Sequence, residues 1–146
     1  MTVTELSRNE IDEILRNVGA GVLSLADARD TYAVPESFGY DGEHLYFQPV
    51  YDDDSDKMAF IEATDLATFT VFTERPAESV IARGRLAPVP DDKSILAQRA
   101  LAANATIPAL NVSPDTSIEE LDCTLYRLTP AELSGRRFGP PDGLRD

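Results

Sequence analysis

The stretch Thr31–Gln48, TYAVPESFGYDGEHLYFQ, decides the fold of this chain. Its two halves, Thr31–Tyr40 and His44–Gln48, are rich in aromatic and β-branched residues, which is typical of strands. The dipeptide Asp41-Gly42 between them is a strong signal for a tight hairpin turn. The one awkward residue is Pro35, because proline cannot donate a hydrogen bond to a neighbouring strand. The stretch therefore predicts two antiparallel strands.

Further strands are predicted on both sides of this hairpin. They are Gly21–Ala26, Thr68–Thr73, Ser79–Val89, Asp122–Leu128 and Ser134–Phe138. Thr68–Thr73 alternates polar and apolar residues, as a half-buried strand does. Gly84, inside the longest of these strands, indicates a bulge or a close approach of another backbone.

Helices are predicted before the strands and in two insertions between them. Ser7 and Glu10 have the spacing of a capping box, and an apolar stripe then follows at helical spacing, up to Gly19 and Gly21. Short helices are expected over Lys57–Ala63 and Lys93–Asn104. The fold class is therefore mainly β with helices (α+β): one domain over residues 1–146, a small antiparallel barrel of six or seven strands. Residues 1–6 and 139–146 are expected to fray.

The charge of the chain is lopsided and excludes some partners. The 146 residues include 26 Asp and Glu but 13 Lys and Arg, for a formal net charge of −13. Such a field repels nucleic acid and anionic membrane surfaces. An acidic chain with only two lysines fits a halophilic protein, whose self-repulsion is screened by salt. A protein that binds a partner through its acidic surface would have a similar composition.

The single cysteine, Cys123, excludes an internal disulfide and a thiolate-rich metal site. No apolar run has the roughly 20 residues that a membrane-spanning helix needs. The first residues lack the pattern of a secretory signal, so a cytoplasmic location is expected.

Few residues carry an independent chemical signal. The only histidine, His44, lies beside the hairpin turn and is interpreted as a solvated residue. The acidic run over 52–56 could ligate a hard cation, but it lacks the pattern of a calcium-binding loop, so no metal site is assigned. Lys57 follows this run directly and could bind an anion such as a phosphate, or neutralise the neighbouring aspartates.

Aromatic residues are crowded around the first two strands of the hairpin region: Tyr32, Tyr40, Tyr46, Phe47 and Tyr51. Core packing accounts for most aromatic residues in a barrel. The functional alternative is that some of them flank a flat ring system, with strand amides directed at its polar edge.

The order of these pieces resembles the pyridoxamine 5′-phosphate oxidase-like family of flavin-binding split barrels, in particular its short archaeal and nitroimidazole-reductase-like members. The matching pieces are the first helix, then GVLSLA, TYAVPESFGYDGEHLYFQ, an insertion that ends in SDK, TFTVF, SVIARGRL and YRLTPAELSGRR. They extend from about Ile11 to Arg137, which is nearly the whole chain.

The resemblance implies a split β-barrel homodimer that binds flavin mononucleotide (FMN) in clefts between its subunits. The cofactor-binding positions that it implies are Tyr32, Ala33, Val34 and Pro35 beside the ring, Phe47 and Gln48 on the next strand, Ser55 and Lys57 at the phosphate, and Ser79 before Gly84. The implied activity is that of an oxidoreductase or reductase of a small molecule, whose chemistry the flavin supplies. No catalytic residue is assigned.

Two departures from the family pattern limit this expectation. Asp56 stands where the family has an arginine, and the tryptophan of the vitamin B6 motif is missing, so pyridoxamine phosphate oxidation is not expected. The alternatives are a reductase that uses the deazaflavin cofactor F420 in the same groove, and a non-catalytic split barrel that binds flavin or haem. The sequence does not identify the substrate or the electron donor.

Overall fold

The computed structural model describes residues 2–51, 56–104 and 122–139. In chain order the elements are β1 (Thr2–Glu5), α1 (Arg8–Asn17), β2 (Ala20–Asp27), β3 (Asp30–Ser37), β4 (Gly39–Tyr40), β5 (Leu45–Phe47), β6 (Val50–Tyr51), α2 (Asp56–Ala63), β7 (Leu66–Glu74), β8 (Ala77–Pro88), a 3-10 turn (Asp91–Lys93), α3 (Ser94–Asn104), β9 (Asp122–Cys123) and β10 (Tyr126–Gly139).

Eight of these strands form one antiparallel sheet that curls into an open half-barrel. Its order is β3-β2-β7-β8-β10-β5-β4, with β1 paired to the free part of β10. The short strands β6 and β9 pair with each other. This arrangement confirms the predicted α+β class and the split-barrel architecture.

One face of the sheet, here called the inner face, holds the main core together with α1 and α2. The largest fully buried side chains of this core are aromatic or branched aliphatic: Phe38, Phe47, Phe69, Leu15, Leu23, Leu45, Leu128, Val34, Val71 and Val80. Phe69 makes edge-to-face contacts with both Phe38 and Phe47, with ring centroids 4.9 Å apart in each pair. The opposite face of the sheet is called the outer face.

The first helix begins as the sequence predicts but ends differently. The Ser7 hydroxyl accepts a hydrogen bond from the Glu10 amide, and the Glu10 carboxylate accepts one from the Ser7 amide. The helix ends at Asn17, with Val18 as an extended cap, so glycine does not terminate it. Gly21 lies in β2, where a Cβ would come within 2.6 Å of the Phe69 ring. Close packing explains this glycine.

The hairpin region divides into more pieces than the sequence predicts. The expected strand Thr31–Tyr40 is split into β3, which pairs with β2, and β4, which pairs with β5. The turn at Asp41-Gly42 is confirmed, since Gly42 has a φ of +96°. The Asp41 carboxylate stabilises it by accepting hydrogen bonds from the amides of Glu43 and His44.

The end of the chain also differs from the prediction. The expected strands Asp122–Leu128 and Ser134–Phe138 are replaced by the short β9 and the 14-residue strand β10. A register shift between Pro130 and Glu132 lets β10 continue past its proline while it pairs with β8.

The ends of the chain were expected to fray, and part of this expectation is corrected. Thr2–Glu5 form a strand against β10, and Leu6 is buried in the core, so these residues are held by pairing and packing. Gly139 is the last residue of β10. Residues 140–146 lie outside the described part of the chain.

The insertion helices lie where the sequence predicts them. α2 packs against β2, and the Thr64 hydroxyl at its end donates to the Phe60 carbonyl and accepts from the Ala26 amide. α3 covers β4 and β5 on the outer face, where Ala97 and Ala100 pack around Tyr46. At its last residue, the Asn104 amide group donates to the carbonyls of Val18 and Phe38.

Candidate functional site

Strand β3 carries four of the predicted site residues, but it turns them in two directions. Successive side chains of a strand point to opposite faces. Val34 is buried in the core, and Tyr32 stacks on Phe60 of α2 with ring centroids 5.2 Å apart. Ala33 and Pro35 are exposed on the outer face. The side chains of Tyr32 and Val34 therefore pack the barrel, while those of Ala33 and Pro35 border solvent.

Ser79 lies on the same outer face as Ala33 and Pro35. The register places Pro35 beside Val22 of β2, Val22 beside Thr70 of β7, and Thr70 beside Ile81 of β8. Ser79 is two residues before Ile81 and therefore has the same orientation. The sheet thus brings three of the predicted residues onto one surface, across strands β3 to β8.

On β2 and β3 this surface is made of small and half-buried side chains, while the exposed Phe72 of β7 lies beside Ser79. In the next row, Ala33 lies beside Ser24 of β2, Ser24 beside Thr68 of β7, and Thr68 beside Arg83 of β8. No large side chain rises from β2 or β3 in these two rows. The outer face there is a shallow shelf that a planar ring could cover.

Strand β3 is also the edge of the sheet. In the described part of the chain it pairs with β2 alone, so its other side faces no further strand. An edge strand can present backbone groups to a partner molecule. Pro35 is tolerated at this position, because proline in a sheet belongs to an edge. The ring of a flavin fits this end of the site, since the shelf is flat and a strand edge adjoins it.

The side chains of Phe47 and Gln48 do not lie on this shelf. Phe47 is fully buried in the core against Phe69. Gln48, the next residue, is exposed and lies just after the end of β5. β5 is near the opposite end of the sheet order from β3.

The predicted phosphate end of the site has a feature that the sequence analysis did not foresee. Lys57, in the first turn of α2, is fully buried, and its Nζ lies 3.1 Å from Oε1 of Glu36 on β3. Burial raises the pKa of Glu36, and the Lys57 ammonium opposes that shift. The positive charge of Lys57 is therefore compensated by the Glu36 carboxylate on the inner side of the sheet. The alternative expectation, that Lys57 neutralises the aspartates before it, concerns residues 52–54, which lie outside the described part of the chain.

The other residues near the predicted phosphate position are described only in part. Asp56, where the family pattern has an arginine, is the first residue of α2 and is exposed. A carboxylate there is favoured by the helix dipole. Ser55 and the aspartates at 52–54 lie outside the described residues.

His44 is placed more firmly than a solvated turn residue would be. Its Nδ1 lies 3.1 Å from the Thr129 hydroxyl of β10, and its ring is edge-on to Tyr46. The Tyr46 hydroxyl in turn donates to the Asp41 carboxylate at 2.6 Å. These contacts tie the β4–β5 hairpin to β10, with Tyr46 packed under α3 and Phe47 packed in the main core.

The described residues contain neither a clustered set of metal ligands nor a helix suited to cross a membrane. No three His, Cys, Asp or Glu side chains in residues 2–51, 56–104 and 122–139 are grouped so that they could hold a metal ion. No described helix combines the length and the apolar character that a membrane crossing requires.

Comparison with known proteins identifies a family whose sequence model matches most of this chain. The family model described as pyridoxamine 5′-phosphate oxidase matches residues 7–137. None of the proteins of curated function that were compared matches the chain significantly.

Solved structures share the fold at low sequence identity. A FAD-binding protein from Mesorhizobium loti is 23% identical, with a TM-score of 0.74, over 96% of this chain and 99% of its own. The FAD-binding protein from Mycobacterium smegmatis is 22% identical, with a TM-score of 0.67, over 93% and 100%. A candidate 5-nitroimidazole antibiotic resistance protein from Bacteroides thetaiotaomicron is 16% identical, with a TM-score of 0.69, over 94% and 89%.

Proposed function

The chain belongs to the pyridoxamine 5′-phosphate oxidase family, and from this membership we propose that it is a flavoprotein that acts as an oxidoreductase on a small molecule. The cofactor that we propose is FMN. Two of the structures with the same fold are named as FAD-binding proteins, which supports a flavin as the class of cofactor.

The observation that carries this proposal is the shelf beside the edge of the sheet. Ala33 and Pro35 are exposed on the outer face, and Ser79 lies on that face three strands away. Three strand spacings amount to about 14 Å, which leaves room for a fused ring system to lie along the sheet. A flat, partly apolar surface with a few polar groups at its border is typical of a cofactor site.

The chain's own part in the chemistry is binding and orientation. A bound flavin supplies hydride or electron transfer, and the protein positions it and tunes its surroundings. The small side chains of Ala33 and Ser24 allow close approach to the sheet, and the edge of β3 offers backbone groups to the polar rim of the ring. We propose that Ser79 adds a polar contact, while Tyr32, Val34 and Phe47 support the shelf from the core. Gln48 follows a strand near the opposite end of the sheet order, so no contact with the ring is assigned to it.

For the phosphate end we propose Ser55 and Lys57. Of these two residues the structure describes Lys57, whose ammonium is paired with the Glu36 carboxylate. An anion at this position has to share or take over that ammonium. The residues therefore fit the flavin ring better than they fit its phosphate.

We further propose that the protein is a homodimer, with the cofactor covered by the second copy. The support is the apolar character of the outer face, where Phe72 is 60% exposed and Ile81 is 44% exposed on neighbouring strands. Large apolar side chains that neighbour each other on a surface commonly mark an interface. A second copy on this face would remove them from water and enclose the shelf.

The purified protein gives a direct test of the cofactor. We expect a yellow preparation with a flavin spectrum, or an apoprotein whose melting temperature rises when FMN is added. A native spectrum characteristic of a deazaflavin would assign F420 instead. A colourless protein that no flavin stabilises would overturn the proposed function.

The position of the ring can be tested separately by filling the shelf. Ala33→Trp adds a large side chain at the exposed face of β3, and we expect it to weaken flavin binding without loss of fold, since Ala33 is exposed on the outer face. Thr31→Trp is a matched control on the same face of β3. Thr31 is exposed and lies two residues nearer the turn that joins β2 to β3. Equal binding by the parent and by Ala33→Trp would place the ring elsewhere.

A further inference from the structure

A buried ion pair joins the strand beside the shelf to the helix that follows the acidic run. The side chain of Lys57 is 1% exposed and that of Glu36 is 6% exposed, and their charged atoms are 3.1 Å apart. Glu36 directly follows Pro35, and Lys57 is in the first turn of α2. Both side chains are buried on the inner side of β3, behind the edge strand that borders the shelf, and Lys57 begins the helix at which the phosphate site is proposed.

Glu36 is an unusual residue for this place in the sheet. It is on the inner side of β3, in register with Gly21 of β2, whose Cα is packed closely against the Phe69 ring. Burial of a carboxylate costs free energy unless a countercharge and hydrogen bonds compensate it. Among the described residues no well-aligned hydrogen bond reaches its Oε1. The Lys57 ammonium is thus the principal compensation that the structure shows for this carboxylate.

The same ammonium is the cation proposed for the cofactor phosphate. An ammonium between two anions in a medium of low dielectric is shared, so each anion weakens the other's interaction with it. A phosphate that approaches Lys57 has to overcome the attraction of Glu36 for the ammonium and the repulsion of the Glu36 carboxylate. A flavin without a phosphate binds without this free-energy cost.

We propose that Glu36 is a specificity-determining residue of the cofactor site: it competes with the cofactor phosphate for Lys57 and so lowers the preference of the protein for FMN over riboflavin. This inference rests on the proposed function, because it assumes that flavin binds beside β3. Its consequence is a site that recognises the ring more strongly than the phosphate.

The test compares the dissociation constants of riboflavin and FMN for the apoprotein, measured by quenching of flavin fluorescence. The quantity of interest is the ratio of the riboflavin constant to the FMN constant. Glu36→Gln keeps the size of the side chain and removes its charge. We expect this variant to raise the ratio by on the order of tenfold, the change that 1.4 kcal/mol produces. Riboflavin affinity should change much less than FMN affinity.

The control is Glu62→Gln, which removes the same charge from an exposed position on α2. It should leave the ratio at the parent value, because it alters the net charge of the protein without touching the pair. If Glu36→Gln also leaves the ratio at the parent value, or if Glu62→Gln raises it equally, the proposal is wrong. A purely structural role of Glu36 would change both flavin affinities by the same factor.

A second variant covers the case in which Glu36→Gln does not fold. Glu36→Leu combined with Lys57→Met replaces the ion pair with apolar side chains, a change that proteins often tolerate. Since Glu36 already offsets Lys57, we expect this double variant to keep a ratio close to that of the parent. A tenfold fall in the ratio would show that Lys57 binds the phosphate unopposed. Absence of binding of either flavin to every form, the parent included, would overturn the proposed function itself.

Discussion

The α-carbon of Gly84 lies so close to the Thr129 carbonyl that a Cβ at this position would be 1.9 Å from the oxygen. The two residues belong to β8 and β10, beside the register shift between Pro130 and Glu132. Glycine is therefore required here by the neighbouring backbone, which cannot move as a side chain could. The sequence predicted a bulge or a close approach at Gly84: the close approach occurs there, and the register shift lies in the facing strand β10.

The first prediction follows from this contact. Gly84→Ala should lower the free energy of unfolding by about 1–3 kcal/mol, the usual cost of forced overpacking, and more if the bulge cannot shift. Urea unfolding measures the loss. Gly139→Ala is the matched control, because a Cβ there meets no atom within 4 Å. Equal stability of the two variants would show that β10 relaxes freely around residue 84.

The second prediction concerns the outer face. Ile81→Glu should convert the proposed dimer into a monomer, because a carboxylate at an apolar interface has to be desolvated without a partner. Light scattering after size-exclusion chromatography measures the mass. Leu96→Glu on α3 is the control, since Leu96 has the same 44% exposure as Ile81. A parent protein that is already monomeric, or a dimer that Ile81→Glu leaves intact, contradicts the interface.

The third prediction concerns the pH dependence of the β4–β5 hairpin. Burial alone would raise the pKa of Asp41, but hydrogen bonds from the His44 amide, the Tyr46 hydroxyl and the Glu43 amide outweigh it and lower the pKa. A carboxyl group with a lowered pKa stabilises the fold at pH values above its unfolded pKa of about 3.9. That stabilisation is lost as the pH falls through the lower, folded value.

Comparison of the parent with Asp41→Asn isolates this effect. We expect the parent to be more stable at pH 7 by on the order of 1 kcal/mol, with the difference shrinking below about pH 4. Chemical denaturation at a series of pH values measures it. Asp30→Asn, at an exposed position in β3, is the control for the loss of one negative charge. A difference that is constant from pH 7 to pH 3 would mean that the charge of Asp41 does not matter.

The fourth prediction concerns salt. A net charge of −13 makes the folded chain repel itself, and dissolved ions screen this repulsion. The melting temperature should therefore rise between about 0.1 M and 1 M KCl, over which the screening length falls from roughly 10 Å to 3 Å. At about pH 4.5, where many carboxylates bind protons, the gain should be smaller. A melting temperature that falls with KCl at pH 7 would contradict a surface suited to salt.

Local patterns in the sequence were sufficient for most of the fold. The Ser7–Glu10 capping box, the turn at Asp41-Gly42 and the special position of Gly84 each depend on neighbouring residues or on a single backbone requirement. The division of Thr31–Tyr40 into two strands depends on which strands pair with it, and no local pattern contains that information. The same holds for β1, whose residues are all exposed and are ordered by pairing with β10.

The sequence predicted the candidate site less completely than it predicted the fold. Alternation along a strand predicts that Ala33 and Pro35 share a face, but only the register shows that Ser79 lies on it too. Lys57 could be selected because lysine is scarce in this chain. Its partner Glu36 is one of 26 acidic residues, and nothing local distinguishes it from those at the surface. A carboxylate that follows a proline within an apolar strand is the only signal that could have indicated it.

The Glu36–Lys57 pair also limits how this protein can evolve. Loss of one partner leaves a buried charge at a cost of about 3–5 kcal/mol, while a domain of this size has only about 5–15 kcal/mol in total. A descendant that replaces either residue alone is therefore at risk of unfolding before it can acquire the second change. Positions 36 and 57 are expected to vary together among descendants, as two apolar residues or as one ion pair. Mixed intermediates should be rare.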